Sequence, residues 1–256
     1  MRQVDLNADL GESFGAWRMG DDAGVMPWIT SANVACGFHA GDPVTMRRTV
    51  ALCVHHRVAL GAHPSLPDLQ GFGRREMKTS PDEVYALTLY QIGALQAFAH
   101  AAGTRLQHVK PHGALYNMAA RERALADALA HAVADFDRGL TLVGLAGSAL
   151  VEAGLALDLA VSREGFCDRR YRADGSLTPR SEPHAVLANR AEAVAQAVAI
   201  ATRQHAVTAD GAAVHVEADT LCVHGDRPDA ALLAQDLRQA LQEAGIQVTA
   251  RPARAC

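Results

Sequence analysis

Short apolar runs alternate with longer helix-patterned stretches along most of the 256 residues. This rhythm limits the possible folds more than any other feature of the sequence. Candidate strands are Gln3–Leu6, Ser31–Ala35, Val58–Ala62, Leu106–Lys110, Thr141–Leu145, Leu157–Val161 and Thr220–Val223, with a weaker eighth at Gln247–Ala250. Several intervening helices have readable ends. Ser80-Pro81-Asp82-Glu83 reads as a capping box with proline at the first helical position. The helix it opens carries Val84, Leu87, Leu95 and Phe98 on one face and closes at Gly103. Asn189-Arg190-Ala191-Glu192 opens another with Val194 and Val198, and a last helix after Asp226 and Pro228 carries Leu233, Leu237 and Leu241 before Gly245. Seven or eight such units predict an α/β fold, a parallel β/α barrel forming one domain over residues 1–256. An open doubly wound sheet is the alternative, but no Gly-rich dinucleotide fingerprint or P-loop supports it. The polar, aperiodic segment Ser162–Pro183 reads as a long functional loop or lid.

Composition narrows the class further. Apolar residues make up 49% and the net charge is only −4, which excludes a disordered chain. The 24 Lys+Arg form no basic clusters, so neither nucleic acid nor an anionic membrane is expected as a partner. Cys36, Cys53, Cys167, Cys222 and Cys256 are scattered, without a CxxC pair, and read as reduced thiols. The first residues, MRQVDLNADLGE, lack the pattern of a signal peptide, and no apolar run is long enough to span a bilayer. The expectation is a soluble cytoplasmic protein of bacterial type.

In a parallel barrel, residues just past each strand converge on one face. After the first strand, alternation puts Asp5, Asn7 and Asp9 on one side, followed by Glu12. Asp9 and Glu12 read either as turn caps or as interior acids, which are costly unless paired or ligating. After the second come Asn33, Cys36 and the Gly-flanked His39, with Asp42-Pro43 reading as an N-cap and first helical residue. Nothing nearby lowers the pKa of Cys36, so it reads as a buried small side chain. His63 follows the third strand, and Arg74 and Arg75 could grip a carboxylate or phosphate or form a solvated pair. After the fourth, His108, Lys110 and His112 share one side, a basic set with no apolar-core role, and Lys110 is suited to polarising a carbonyl or holding an oxyanion. The long loop adds Glu164, Asp168, Arg169 and Tyr171, and the seventh strand ends at His224, with Asp226 reading as a cap. Of 12 histidines, five (His39, His63, His108, His112 and His224) fall at strand ends. The others read as ordinary helix, loop or surface residues. Acids, histidines and a lysine at five strand ends describe a face for acid–base chemistry at a polarised carbonyl.

Six segments together resemble the LamB/YcsF family, the A subunits of prokaryotic ATP-dependent 5-oxoprolinase. They are DLNADLGE (Asp5–Glu12), NVACGFHAGDP (Asn33–Pro43), GAHPSLPD (Gly61–Asp68), GFGRR (Gly71–Arg75), HVKPHGALYN (His108–Asn117) and CVHGD (Cys222–Asp226). Ala8 stands where the family usually has Cys, which argues against a catalytic thiol there, and Cys167 stands where its loop motif usually has Ala. The resemblance implies a distorted seven-stranded β/α (TIM-like) barrel similar to the glycoside hydrolase/deacetylase group. It also implies ATP-coupled opening of 5-oxo-L-proline to L-glutamate together with subunits B and C. ATP, with Mg as its possible companion, enters from the resemblance alone. Phosphorylation of the amide oxygen would make the ring carbon electrophilic. Asp9 or Glu12, with His39 and His63, would then position and deprotonate water. Lys110 and Arg169 would neutralise the oxyanion or phosphate, and His112 or Glu164 would protonate the leaving nitrogen. Asn7, Asn33, Arg74, Arg75, Asp168, Arg169, Tyr171 and His224 are expected to bind substrate or phosphate. Two other readings stand beside this one: a metal-dependent amidohydrolase or deacetylase without ATP, with Asp9, His39 and His63 as ligands, and a non-catalytic subunit that binds a small carboxylate.

Overall fold

The computed structural model describes residues 2–187, 189–225 and 227–250. Asp226 and Cys256 lie outside them. The elements run β1 (Gln3–Leu10), α1 (Asp22–Val25), a 3-10 turn (Met26–Trp28), β2 (Ser31–Ala35), α2 (Pro43–His56), β3 (Ala59–His63), α3 (Pro81–Ala101), β4 (His108–Val109), α4 (Gly113–Arg121) and α5 (Arg123–Phe136). They continue with β5 (Thr141–Leu145), α6 (Ala149–Ala156), β6 (Ala160–Phe166), α7 (Arg190–Arg203), β7 (His205–Val207), β8 (Ala213–His215), β9 (Thr220–Val223), α8 (Ala230–Glu243) and β10 (Gln247–Val248).

Parallel neighbours need long crossovers, and the helical segments between strands supply them. The strands pair in the order β1-β2-β3-β4-β5-β6-β9, and β9 returns to β1 to close a seven-stranded parallel barrel. Among the described residues β10 pairs only with the foot of β1, at Gln3 and Val4, while β9 takes Asp5–Ala8 of the same strand. The weak eighth strand of the sequence is therefore a short supplement to the barrel.

The sequence sets the helix starts. Ser80 and Glu83 form the expected capping box on α3, Asp42 accepts from the Val44 and Thr45 amides at the head of α2, and Asn189 accepts from Ala191 at the head of α7. Each such cap contributes about 1 kcal/mol. Among the described residues, no helix is long and apolar enough to cross a membrane.

The strands divide their residues unusually. In β1, Val4, Leu6, Ala8 and Leu10 are buried in the apolar core beneath the surrounding helices. Asp5, Asn7 and Asp9 are buried too, but in the lumen. A barrel of this kind is commonly filled by branched apolar side chains; this one is filled by a hydrogen-bonded column. Asp5 accepts from the hydroxyls of Thr30 (2.6 Å), Ser31 (2.7 Å) and Thr220 (2.5 Å). Asn7 uses its whole amide: Nδ2 donates to Glu164 (3.1 Å) and Thr220 (2.7 Å), and Oδ1 accepts from Asn33 (2.7 Å) and Lys110 (3.2 Å). Because Asn33 Nδ2 is committed to Asn7 and Asp9, its Oδ1 accepts from His108 Nε2 at 2.8 Å.

This polar filling explains where expectation and structure part. β1 runs on to Leu10, past the expected end at Leu6, because its inward residues are polar and hide the strand period. β6 starts at Ala160 and runs to Phe166, so five residues read as loop belong to a strand. Ser162 and Glu164 face the lumen, and Arg163 on the opposite side pairs with Asp219 at 2.8 Å. β7 and β8 form an antiparallel hairpin pairing His205 with His215, three residues each and too short to leave a periodic signal.

The lumen requires glycine at position 61, where an added Cβ would sit 2.0 Å from His108 Nε2. Gly61→Ala is expected to displace the His108 ring and lose about 1–3 kcal/mol of stability. The measurement is the urea midpoint against the unsubstituted chain; an unchanged midpoint would contradict this packing.

Candidate active site

The column ends at the C-terminal mouth of the barrel in an ion cluster. Lys110, just past β4 and 2% exposed, reaches Glu164 Oε1 at 2.7 Å, Asp9 Oδ1 at 2.9 Å and Cys222 Sγ at 3.1 Å. Burial pulls its pKa down, but Asp9 and the neighbouring anionic groups outweigh burial and hold it well above the usual lysine value. Burial pushes Asp9 up, and His63 with Lys110 overcomes that, leaving it well below the usual carboxylate range. An ammonium and a carboxylate are thus fixed at the mouth near neutral pH. Removing either partner of such a pair leaves an uncompensated buried charge, at a loss of about 3–5 kcal/mol. Burial keeps the Cys222 and Cys36 thiols protonated, the latter pushed up to about 12.

Beside this pair stand three imidazoles. His63 Nδ1 lies 2.7 Å from the Lys110 carbonyl oxygen, and its Nε2 lies 3.4 Å from Asp9 Oδ2 and 2.9 Å from His112 Nδ1. His112 Nε2 lies 2.9 Å from the Phe72 carbonyl oxygen. His39 stacks face to face on His112, centroids 3.8 Å apart and planes 8° from parallel, with its Nε2 3.3 Å from Glu12 Oε1. The turn that brings these rings together depends on Gly73 at φ +61, where a Cβ would come within 2.8 Å of His39 Cβ and 2.9 Å of His112 Cδ2. On the opposite wall, Asp168 Oδ1 holds His224 Nδ1 at 2.7 Å.

These groups border a cavity of about 560 Å³. Asp9, His63, Lys110, His112 and His224 line it from the barrel, and Arg74, Arg169, Arg172 and Arg180 line it from the loops. Glu12 and His39 lie behind the His63–His112 pair, and Asn7, Asn33 and Glu164 lie in the lumen beneath Lys110. Arg169 reaches the cavity but also donates to the Thr178 and Ala185 carbonyls at 2.6 and 3.4 Å. Burial and Arg180 lower its pKa to about 10. Two expected ligand-binding residues are placed elsewhere. Arg75 is paired with Asp68, its side chain 64% exposed, and the Tyr171 hydroxyl accepts the Phe166 amide at 2.7 Å, tying the loop to β6. Sequence reasoning missed Cys222, which touches Lys110, and Tyr116, Arg172 and Arg180, which line the cavity. Cys222 was within reach, since alternation from His224 places both on one side of β9. The loop arginines carry no periodic signal.

The chain is thus a seven-stranded parallel β/α barrel with a buried carboxylate–lysine–histidine cleft at its C-terminal mouth. The T48 deacetylase with substrate aligns over 100% of this chain and 96% of its own at TM-score 0.50, with 13% identity, a likeness of fold alone. The LamB/YcsF family model matches residues 4–255, and the chain belongs to that family. It is 60% identical over 249 residues to the A subunit of 5-oxoprolinase from Methylococcus capsulatus, covering 97% of this chain and 96% of the relative. It is 56% identical to the Bordetella pertussis protein of the same name over 96% of this chain and 98% of the relative. The crystal structure of the lactam utilization protein from Thermus thermophilus superposes at TM-score 0.91 with 49% identity, over 97% of this chain and 100% of that one.

The lumen also makes a pH prediction. Burial, helped by the charge on Lys110, lowers the His108 pKa from 6.5 to about 3. The unfolded chain therefore takes up a proton that the folded chain refuses. The contribution is intact above pH 6.5 and declines by about 1.4 kcal/mol per pH unit as the pH falls below it. Urea midpoints from pH 7.5 to 5 should fall less steeply for His108→Gln than for the unsubstituted chain; equal slopes would sink the assignment.

Proposed function

We propose that this chain is the A component of a 5-oxoprolinase and opens 5-oxo-L-proline to L-glutamate at the cleft, coupled to ATP and acting with B and C subunits. The observation that carries the reading is the Lys110 ammonium, held between Asp9 and Glu164 on the cavity wall, together with relatives named for that activity. A five-membered lactam is an unreactive amide whose hydrolysis requires coupling. Transfer of the terminal phosphoryl group of ATP to the amide oxygen gives an electrophilic ring carbon. Water then adds to that carbon and the ring C–N bond breaks, leaving the new carboxyl group as an acyl phosphate; a second water releases the phosphate, and the products are glutamate, ADP and phosphate.

The roles follow from position. Asp9 is the base, because it lines the cavity while Glu12 stands behind the histidines. Lys110 neutralises charge developing on the former amide oxygen. His112 has its Nε2 proton engaged with the Phe72 carbonyl, and Glu164 is engaged with Lys110 and Asn7. His224, oriented through Nδ1 by Asp168, is therefore the better donor to the leaving nitrogen. Arg74, Arg169, Arg172 and Arg180 offer the cationic surface that a polyphosphate and the substrate carboxylate need.

The test combines the purified chain with candidate B and C subunits, 5-oxo-L-proline, ATP and Mg, and follows glutamate and phosphate. Glutamate no higher than with B and C alone would overturn the reading. Lys110→Met, confirmed folded by circular dichroism, should lower the rate at least about 100-fold, as loss of an oxyanion donor does. His224→Gln should lower it about 100-fold or more, as loss of a general acid does.

A further inference from the structure

His63 and His112 have no proton arrangement that satisfies both as neutral rings. A carbonyl oxygen only accepts, so His63 carries its proton on Nδ1, toward Lys110, and His112 carries its own on Nε2, toward Phe72. The remaining nitrogens, His63 Nε2 and His112 Nδ1, then face each other at 2.9 Å, each with a lone pair. Two lone pairs at that distance repel unless something positive lies against both. His39 adds another uncommitted nitrogen: with Nε2 3.3 Å from Glu12 Oε1, its Nδ1 is buried without a hydrogen-bond partner, and the ring is 1% exposed.

We propose that Glu12, His39, His63 and His112 form a site for one divalent transition-metal ion of the zinc type. One donor atom from each lies within 4.8 Å of the others. The neighbouring pairs are His63–His112 at 2.9 Å, His39–Glu12 at 3.3 Å and His112–Glu12 at 3.6 Å. Tetrahedral zinc, with bonds of about 2.0–2.1 Å to N and O, places its ligand atoms about 3.3–3.4 Å apart. A backbone carbonyl on the far nitrogen of His63 and of His112 is the arrangement that fixes the tautomer of metal-bound imidazoles. Three imidazoles and one carboxylate suit zinc, nickel or copper rather than magnesium or calcium.

A proton shared by His63 and His112 is the competing occupant. It would answer only that pair; carried on His63 it would face Asp9 Oδ2 at 3.4 Å, and carried on His112 it would stack 3.8 Å beneath the His39 ring. The ligand set differs from the Asp9, His39 and His63 of the alternative metal-dependent reading: Glu12 and His112 join the two histidines, and Asp9 Oδ1 is taken by Lys110 and Asn33. The nearby Asp9–Cys222–His224 group is a poorer site, since the Lys110 ammonium stands 2.9 Å from Asp9 and 3.1 Å from Cys222, where a cation would have to go. Bound beside the cavity, the ion would supply a Lewis acid next to Asp9. The proposal does not depend on the substrate, ATP or the partner subunits.

The test uses the full chain, stripped with a chelator and titrated with Zn²⁺ against a chromophoric competitor, and separately loaded with Co²⁺. One equivalent should bind with Kd of about 1 μM or tighter, and Co²⁺ should give the intense visible bands of a tetrahedral site. Glu12→Gln and His112→Gln, chosen to preserve shape, should each weaken binding at least about 10–100-fold, the loss that even outer partners of a metal ligand produce. His39→Ala/His112→Ala should abolish binding, and His224→Gln should leave it intact. Three outcomes overturn the site: no stoichiometric uptake by the unsubstituted chain, affinity unchanged in the Glu12 and His112 variants, or a low-field imidazole proton resonance that persists when Zn²⁺ is added. Failure of glutamate formation by a chain that binds metal would count against the proposed reaction and leave the site standing.

Discussion

A lysine ammonium closed off from water is tolerable only if its surroundings return what hydration would have given. Lys110 receives that return from Asp9, Glu164 and Asn7. Those three partners are held in turn by Asn33, Thr220 and His63, and these by His108, Asp5 and the backbone of the lysine itself. The barrel mouth is thus stabilised through one chain of obligations rather than through independent contacts. Low local dielectric strengthens each bond in such a network and penalises each omission. The apolar work is done elsewhere, in the layer between strands and helices, where residues such as Leu6, Leu10, Leu60 and Leu142 are fully buried.

That division of labour decides what could be read from the sequence. The strands were legible where apolar outward residues recur, as in Ser31–Ala35, Thr141–Leu145 and Thr220–Val223, all three found at the expected bounds. The helix heads at Asp42, Ser80 and Asn189 were legible because capping depends on a few local residues. β6 was misplaced because Ser162 and Glu164 look like loop residues in isolation, and Asn7 and Lys110, the partners that satisfy Glu164, come from β1 and from just past β4. Long-range pairing is what a local pattern does not encode.

The candidate site was legible to a similar depth. The polar residues at strand ends converge as the barrel arrangement requires, and Asp9, His63, Lys110, His112 and His224 all line one cavity. Neighbouring loop residues could not be separated in the same way. Arg74 and Arg75 are adjacent in sequence, yet one lines the cavity and the other is held outside by Asp68. Positive φ angles at Phe72 and Gly73 (55° and 61°) turn the chain just before them. Tyr171 looked like a ligand contact because it is polar and sits in a loop motif, but its hydroxyl serves the backbone of β6.

The filled lumen has a consequence on the timescale of descent. An apolar core accepts replacements one at a time, because methyl groups have no fixed partners and neighbouring rotamers can adjust. Asn7, bonded through both ends of its amide to four different residues, has no such latitude: any exchange strands a donor or acceptor on each of them. Viable paths through sequence space must therefore change several lumen positions at once or leave them alone. Divergence in what the cleft accepts is channelled into the surrounding loops, whose arginines reach the cavity without belonging to the column.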